Sequence, residues 1–204
     1  MPARPLSRSE THRRIWHMLP GTLPFLMNLV DAPRPLPWAA VSSIACISVV
    51  LTFAAYWRYR HMVRDGEKDW RLNSLSFIAV ALPPVFLFRL HPELAAVVLT
   101  IVAFGDGSAT LFGLWLGGQR LPWNSTKTWT GFLCFFLFAF PAATLAYWAI
   151  AVPSVSFGIA VLCVLPAVVV AQAIESLAGP GTDNFRVGIA AMVGVWLAHT
   201  IVVG

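Results

Sequence analysis

From residue 94 to residue 118 the chain passes through twenty-five positions with one charged side chain, Asp106, and this run constrains the fold more than any other feature. An α-helix needs about 20 apolar residues to cross the hydrocarbon of a bilayer. Comparable runs occupy 38–57, 72–88, 129–152, 155–177 and 185–203, and a weaker one, interrupted by Pro20 and Gly21, occupies 15–30. None has the alternation of a transmembrane barrel. Only 11% of the residues are charged, against about 25% in soluble domains, which leaves too little polar surface for a water-soluble globule. The runs predict an all-α, polytopic integral membrane protein with about seven transmembrane helices, in the range of about six to eight. Residues 1–14 form a basic arm, and 15–204 form a single domain.

The loops orient the helices. The arm, the segment 58–71, the segment 119–128 and the turn 179–186 carry twelve of the fourteen lysines and arginines, and only Arg34 and Arg89 fall on the other side. The positive-inside rule therefore places the first set in the cytoplasm. The net charge of +5 lies at helix ends and in short loops, which fits anionic headgroups or a phosphate-bearing ligand better than nucleic acid. No internal repeat is visible. Cys46, Cys134 and Cys163 lie far apart in apolar runs and read as small hydrophobes. The first thirty residues lack a small-residue cleavage site, so no cleaved signal peptide is expected.

After Glu93 the remaining residues hold six formal charges: Asp106, Arg120, Lys127, Glu175, Asp183 and Arg186. An ionised group inside a bilayer is costly unless paired, hydrated or metal-bound, so Asp106 is a functional candidate. Gly105 and Gly107 on either side would let a phosphate or a metal approach the backbone. On a straight helix Asp106 lies about 20 Å below the loop at Arg120, so either the helix breaks at the glycines or a wet funnel descends to it. Lys127, among Asn124, Thr126 and Thr128 at a helix start, suits an anionic phosphate, although Thr128 alone reads as a helix cap. Glu175 and Asp183-Asn184 flank a Gly-Pro-Gly turn that returns two acids to one place, where they can hold Mg²⁺. Read singly, Asp183 is an N-cap. Arg13, Arg14 and His17 share a helical spacing and can touch a phosphate, while Gly113 and Gly117 suggest helix packing and His199 a structural role. Soluble nucleotide-binding and zinc-protease motifs are missing.

Taken in order, GDGSAT at 105–110, NSTKTWTG at 124–131, ES at 175–176, DN at 183–184 and the opening RRIWH at 13–17 resemble the polyprenol, dolichol and phytol kinase family of membrane enzymes. The chain departs from that pattern at Ser125, Thr126 and Thr130. The resemblance implies a kinase that transfers the terminal phosphate of CTP, with Mg²⁺, to an isoprenoid alcohol or diacylglycerol. It makes Asp106, Lys127, Glu175 and Asp183 the catalytic set. Asp106, Asp183 and Glu175 become the metal ligands, and Gly105, Gly107, Asn124, Lys127, Thr128 and Asn184 the nucleotide contacts. The runner-up activity is that of the related phosphatidate cytidylyltransferases, whose His-Gly-Gly and Asp-Arg-x-Asp signature is missing at 175–186. A small ion transporter with Asp106 and Glu175 as a relay ranks third, because no charge beyond Glu93 lies toward the far face. The expected setting is a bacterial inner membrane, with the site facing the cytoplasm.

Overall fold

Ser7 opens the described structure by accepting a hydrogen bond from the Glu10 backbone N–H at 3.2 Å, a capping arrangement that starts the first helix. The structure is a computed structural model, and it describes residues 7–29, 36–59, 70–179 and 182–204. Helix α1 spans Arg8–Met18, a 3₁₀ turn follows at Leu19–Thr22, and α2 spans Leu23–Leu29. Proline and glycine at positions 20 and 21 thus divide the weak run 15–30 into short pieces. Much of the basic loop 58–71 and the tip of the 179–186 turn lie outside the described residues.

Helices α3 (Trp38–Tyr59) and α4 (Trp70–Leu87) come next. The chain then runs through α5 (Pro92–Thr100), a π-helical stretch (Ile101–Asp106) and α6 (Gly107–Trp115) as one continuous rod. Gly117, at φ +67°, terminates it in the left-handed conformation that glycine adopts without steric cost. The segment expected as a polar loop is a β-hairpin, β1 (Arg120–Leu121) paired antiparallel with β2 (Asn124–Thr128). Helices α7 (Trp129–Ile150), α8 (Phe157–Ser176) and α9 (Asp183–Val202) complete the fold. Among the described residues, four helices are long and apolar enough to cross a membrane: Pro92–Trp115, Trp129–Ile150, Phe157–Ser176 and Asp183–Val202. In α3 and α4 the described apolar stretches are shorter, at Trp38–Val50 and Ile78–Leu87. Pro83 and Pro84 lie within α4, and α7 and α8 carry Pro141 and Pro166 in their interiors.

The rod Pro92–Trp115 is the axis of the bundle. Of its apolar window 78% is buried, against 39%, 39% and 28% for the other three long helices. Those outer helices turn Leu137, Leu162, Ile189 and Ile201 outward, as expected where the solvent is hydrocarbon. Close approach between helices uses small residues. A Cβ on Gly194 would lie 2.8 Å from the Cα of Ala167, and one on Gly131 would lie 2.7 Å from the carbonyl oxygen of Ala109. Because that second obstacle is backbone, Gly131→Ala is expected to destabilise the fold by about 1–3 kcal/mol through overpacking. Thermal unfolding in detergent measures it; an unchanged melting temperature would show that α6 and α7 separate at no cost. Of the cysteines, Cys163 is buried as expected, whereas Cys46 is exposed.

Candidate functional site

The site grows from the middle of the rod. In the stretch Ile101–Asp106 the helix widens to π geometry, which sets its phase back by one residue, about 100°. Asp106 ends that stretch and is buried. The rod does not break at the glycines. The space a side chain would need at Gly105 is filled by the Phe135 ring, and at Gly107 by Met18 and His17. Those spaces are taken by side chains of α7 and α1.

The β-hairpin folds back along α6, so that Gly131 packs on Ala109 and Thr128 lies beside Gly113. Thr128 Oγ1 accepts from the Gly131 N–H at 3.1 Å; Thr128 caps α7, and its hydroxyl is committed there. Asn124 is likewise committed to the scaffold. Its Oδ1 accepts from the N–H and the hydroxyl of Thr126 at 3.1 and 2.7 Å, and its Nδ2 donates to the Ser176 carbonyl at 3.0 Å. With Trp123 Nε1 donating to Ser176 Oγ at 3.1 Å, it binds the hairpin to the end of α8. Asn184 Nδ2 donates to Ser76 Oγ at 3.4 Å and links α9 to α4.

This scaffold delivers Lys127 to the acids. Its Nζ donates to Glu175 Oε1 at 2.5 Å and to Asp183 Oδ2 at 2.7 Å. Thr182, and not Asp183, occupies the N-cap position of α9, so Asp183 is available to the lysine. Burial alone pulls the Lys127 ammonium toward neutrality, but Glu175, Asp106 and Asp183 outweigh it and hold its pKa well above the ordinary value. The group stays charged at physiological pH. One oxygen each from Asp106, Glu175 and Asp183 lies within 4.8 Å of the others. Two oxygens on opposite sides of an octahedral Mg²⁺ lie about 4.1 Å apart, and this ion favours an all-oxygen donor set. The three acids offer that kind of donor, and Lys127 Nζ lies against two of them.

Helix α1 lies against the same place. His17 Nε2 is 3.4 Å from Asp106 Oδ2. Glu10, itself buried, holds both Arg13 Nη2 and Arg14 Nε at 3.2 Å, and Arg14 is close enough to Asp106 to feel its charge. The Arg13, Arg14, His17 spacing was legible; a loop-charge rule accounts for it equally well until the helix is seen packed on the rod. Arg186 donates to the carbonyls of Leu177 and Ile174 at 3.0 and 3.1 Å, closing the end of α8, and stands 3.7 Å from Asp183.

The chain is 27% identical over 149 residues to a protein of Oryza sativa subsp. japonica named probable phytol kinase 1, chloroplastic; the match covers 68% of this chain and 46% of that one. It is 25% identical over 147 residues to a probable phytol kinase, chloroplastic, of Triticum aestivum, covering 67% of this chain and 48% of the relative. Over about two thirds of its length the chain is similar to these plant phytol kinases. With phytol kinase 1, chloroplastic, of Arabidopsis thaliana the identity is 30% over 83 residues, 40% of this chain and 27% of the other. The chain spans about half the length of the first two of these phytol kinase relatives. No family model matches it, and no solved structure does. The phytol kinase relatives are named as chloroplastic, which lends no support to the expectation of a bacterial inner membrane.

Proposed function

We propose that the chain is a membrane lipid kinase that transfers the terminal phosphate of CTP to the hydroxyl of an isoprenoid alcohol of phytol or polyprenol type, with diacylglycerol as a further acceptor to test. The observation that carries the reading is the meeting of three carboxylates from three helices with one permanently charged lysine. The printed names of the relatives support it. Asp106, Glu175 and Asp183 would hold Mg²⁺, which when bound would neutralise phosphate charge. Phosphoryl transfer asks the protein for position and electrostatics. Lys127 turns its ammonium from the two acids to the phosphate oxygens and follows their charge as the P–O bond to the leaving diphosphate breaks. The alcohol oxygen forms the new P–O bond, and the His17–Asp106 pair takes its proton. The products are CDP and a lipid monophosphate.

Ion relay gains one point from the structure, since His91, Glu93 and His199 supply polar groups at the far end of the rod. Between them and Asp106, however, lie Val97, Val98, Ile101 and Val102, none more than 1% exposed, and the Thr100 hydroxyl is spent on the Ala96 carbonyl at 2.7 Å. That segment offers no proton path. Purified protein in detergent, given Mg²⁺, labelled CTP or ATP, and phytol, polyprenol, diacylglycerol or phosphatidate, decides among the readings. CDP with a phosphorylated alcohol is the expected outcome. Pyrophosphate with a CMP-lipid would make the chain a cytidylyltransferase, and no turnover with any lipid would remove the kinase.

A further inference from the structure

At the other end of the rod a second cluster brings together groups of different chemistry. His91 immediately precedes α5, Glu93 lies in its first turn, and His199 lies in the last turn of α9. One donor atom from each falls within 4.8 Å of the others, and the two imidazole rings are 4.9 Å apart, inclined at 60°. Each residue has a separate, ordinary account. An acid in a first turn and an imidazole in a last turn both complement a helix dipole. Those accounts explain neither the depth of Glu93, 2% exposed, nor the arrival of imidazoles from two elements at one carboxylate. A dipole contribution at the surface is small beside the cost of taking a carboxylate out of water.

His199 is held from behind: its Nδ1 is 2.7 Å from the hydroxyl of Tyr147, a fully buried residue of α7, and with the proton on Nδ1 the ring donates to that oxygen and turns the lone pair of Nε2 outward. His91 Nδ1 is 3.2 Å from Glu93 Oε1, a spacing that suits two ligand atoms each about 2.1 Å from one ion. A carboxylate or hydroxyl behind the far nitrogen is the usual support of a metal-binding histidine. Two imidazoles and one carboxylate select Zn²⁺ or a neighbouring transition ion, whereas the all-oxygen cluster around Lys127 suits Mg²⁺. The His91 side chain is 50% exposed and leaves a way in.

We propose that His91, Glu93 and His199 form a transition-metal site that clamps the start of α5 to the end of α9, on the face opposite the carboxylate–lysine cluster. His199 lies sixteen residues along α9 from Asp183, about 24 Å at the rise of an α-helix. The two metal chemistries therefore stay separate, and this site stands whether or not the lipid-kinase reading does.

The test uses the full chain in detergent, stripped with EDTA and kept in excess Mg²⁺ so that Zn²⁺ does not enter the oxygen cluster. Calorimetry with Zn²⁺ is expected to give one site per chain, and Co²⁺ a tetrahedral visible spectrum. At a free Zn²⁺ concentration of about 100 Kd, the melting temperature should rise by about 5–10 °C. His91→Ala and His199→Ala should each weaken binding by at least about tenfold, by analogy with the smaller loss expected from supporting residues alone. Because His91 is half exposed, its variant should keep the wild-type melting temperature in EDTA, so that variant remains readable even if His199→Ala fails to fold. Absence of Zn²⁺ binding, or binding that His91→Ala leaves unchanged, overturns the proposal.

Discussion

Lys127→Met is expected to lower kcat/KM for phosphoryl transfer by about 10³-fold or more, since a cation aimed at the transferring phosphate contributes on that scale. The same change exposes a second cost. Glu175 has 3% of its side chain exposed and faces the lysine at 2.5 Å; left alone as a buried carboxylate it should destabilise the fold by about 3–5 kcal/mol. The two effects separate in a double variant. Lys127→Met combined with Glu175→Gln removes the orphaned charge, so it should recover most of the melting temperature and none of the turnover. Kinetics and thermal unfolding on the three proteins check this. A Lys127→Met enzyme that keeps a tenth of wild-type activity would show that the ammonium does not touch the reacting phosphate.

Asp106→Asn and Asp183→Asn form the second expected result. Each should lower kcat/KM by about 10²–10³-fold and raise the Mg²⁺ concentration needed for half-maximal rate, on the scale of losing one electrostatic contact to the reacting group. If both acids serve one ion, the double variant should be little worse than the poorer single one, because residues that act as a unit are not additive. Asp183 is 40% exposed at its side chain and Lys127 keeps Glu175 as a partner, so its variant should lose no more than about 1 kcal/mol of stability. Losses that multiply in the double variant would mean that the acids act on separate steps.

The helices and the acids were legible for physical reasons that can be named. Asp106 stood out because a lone carboxylate in a twenty-five-residue apolar run has no cheap explanation. Glu175 and Asp183 could be brought together on paper because a Gly-Pro-Gly turn joins the helices that carry them. Local chemistry could not reveal the π stretch or the return of the β-hairpin along α6, since both depend on what α7 and α1 press against. Glycine, amide and hydroxyl serve a phosphate and a tight helix contact equally well, so the packing at Gly105 and Gly107 and the hydrogen bonds of Asn124 and Thr128 are not legible in the residues alone. His199 looked solitary because its partners, His91 and Glu93, come from a helix far away in the chain.

The rod that bears Asp106 is wrapped by its neighbours over most of its length. Its acid therefore rests among peptide dipoles and side chains that travel with the protein, while the outer helices present much more of their apolar surface outward. Transferring the molecule between membranes of unlike thickness or headgroup should strain that outer layer first and leave the electrical surroundings of the acid as they were.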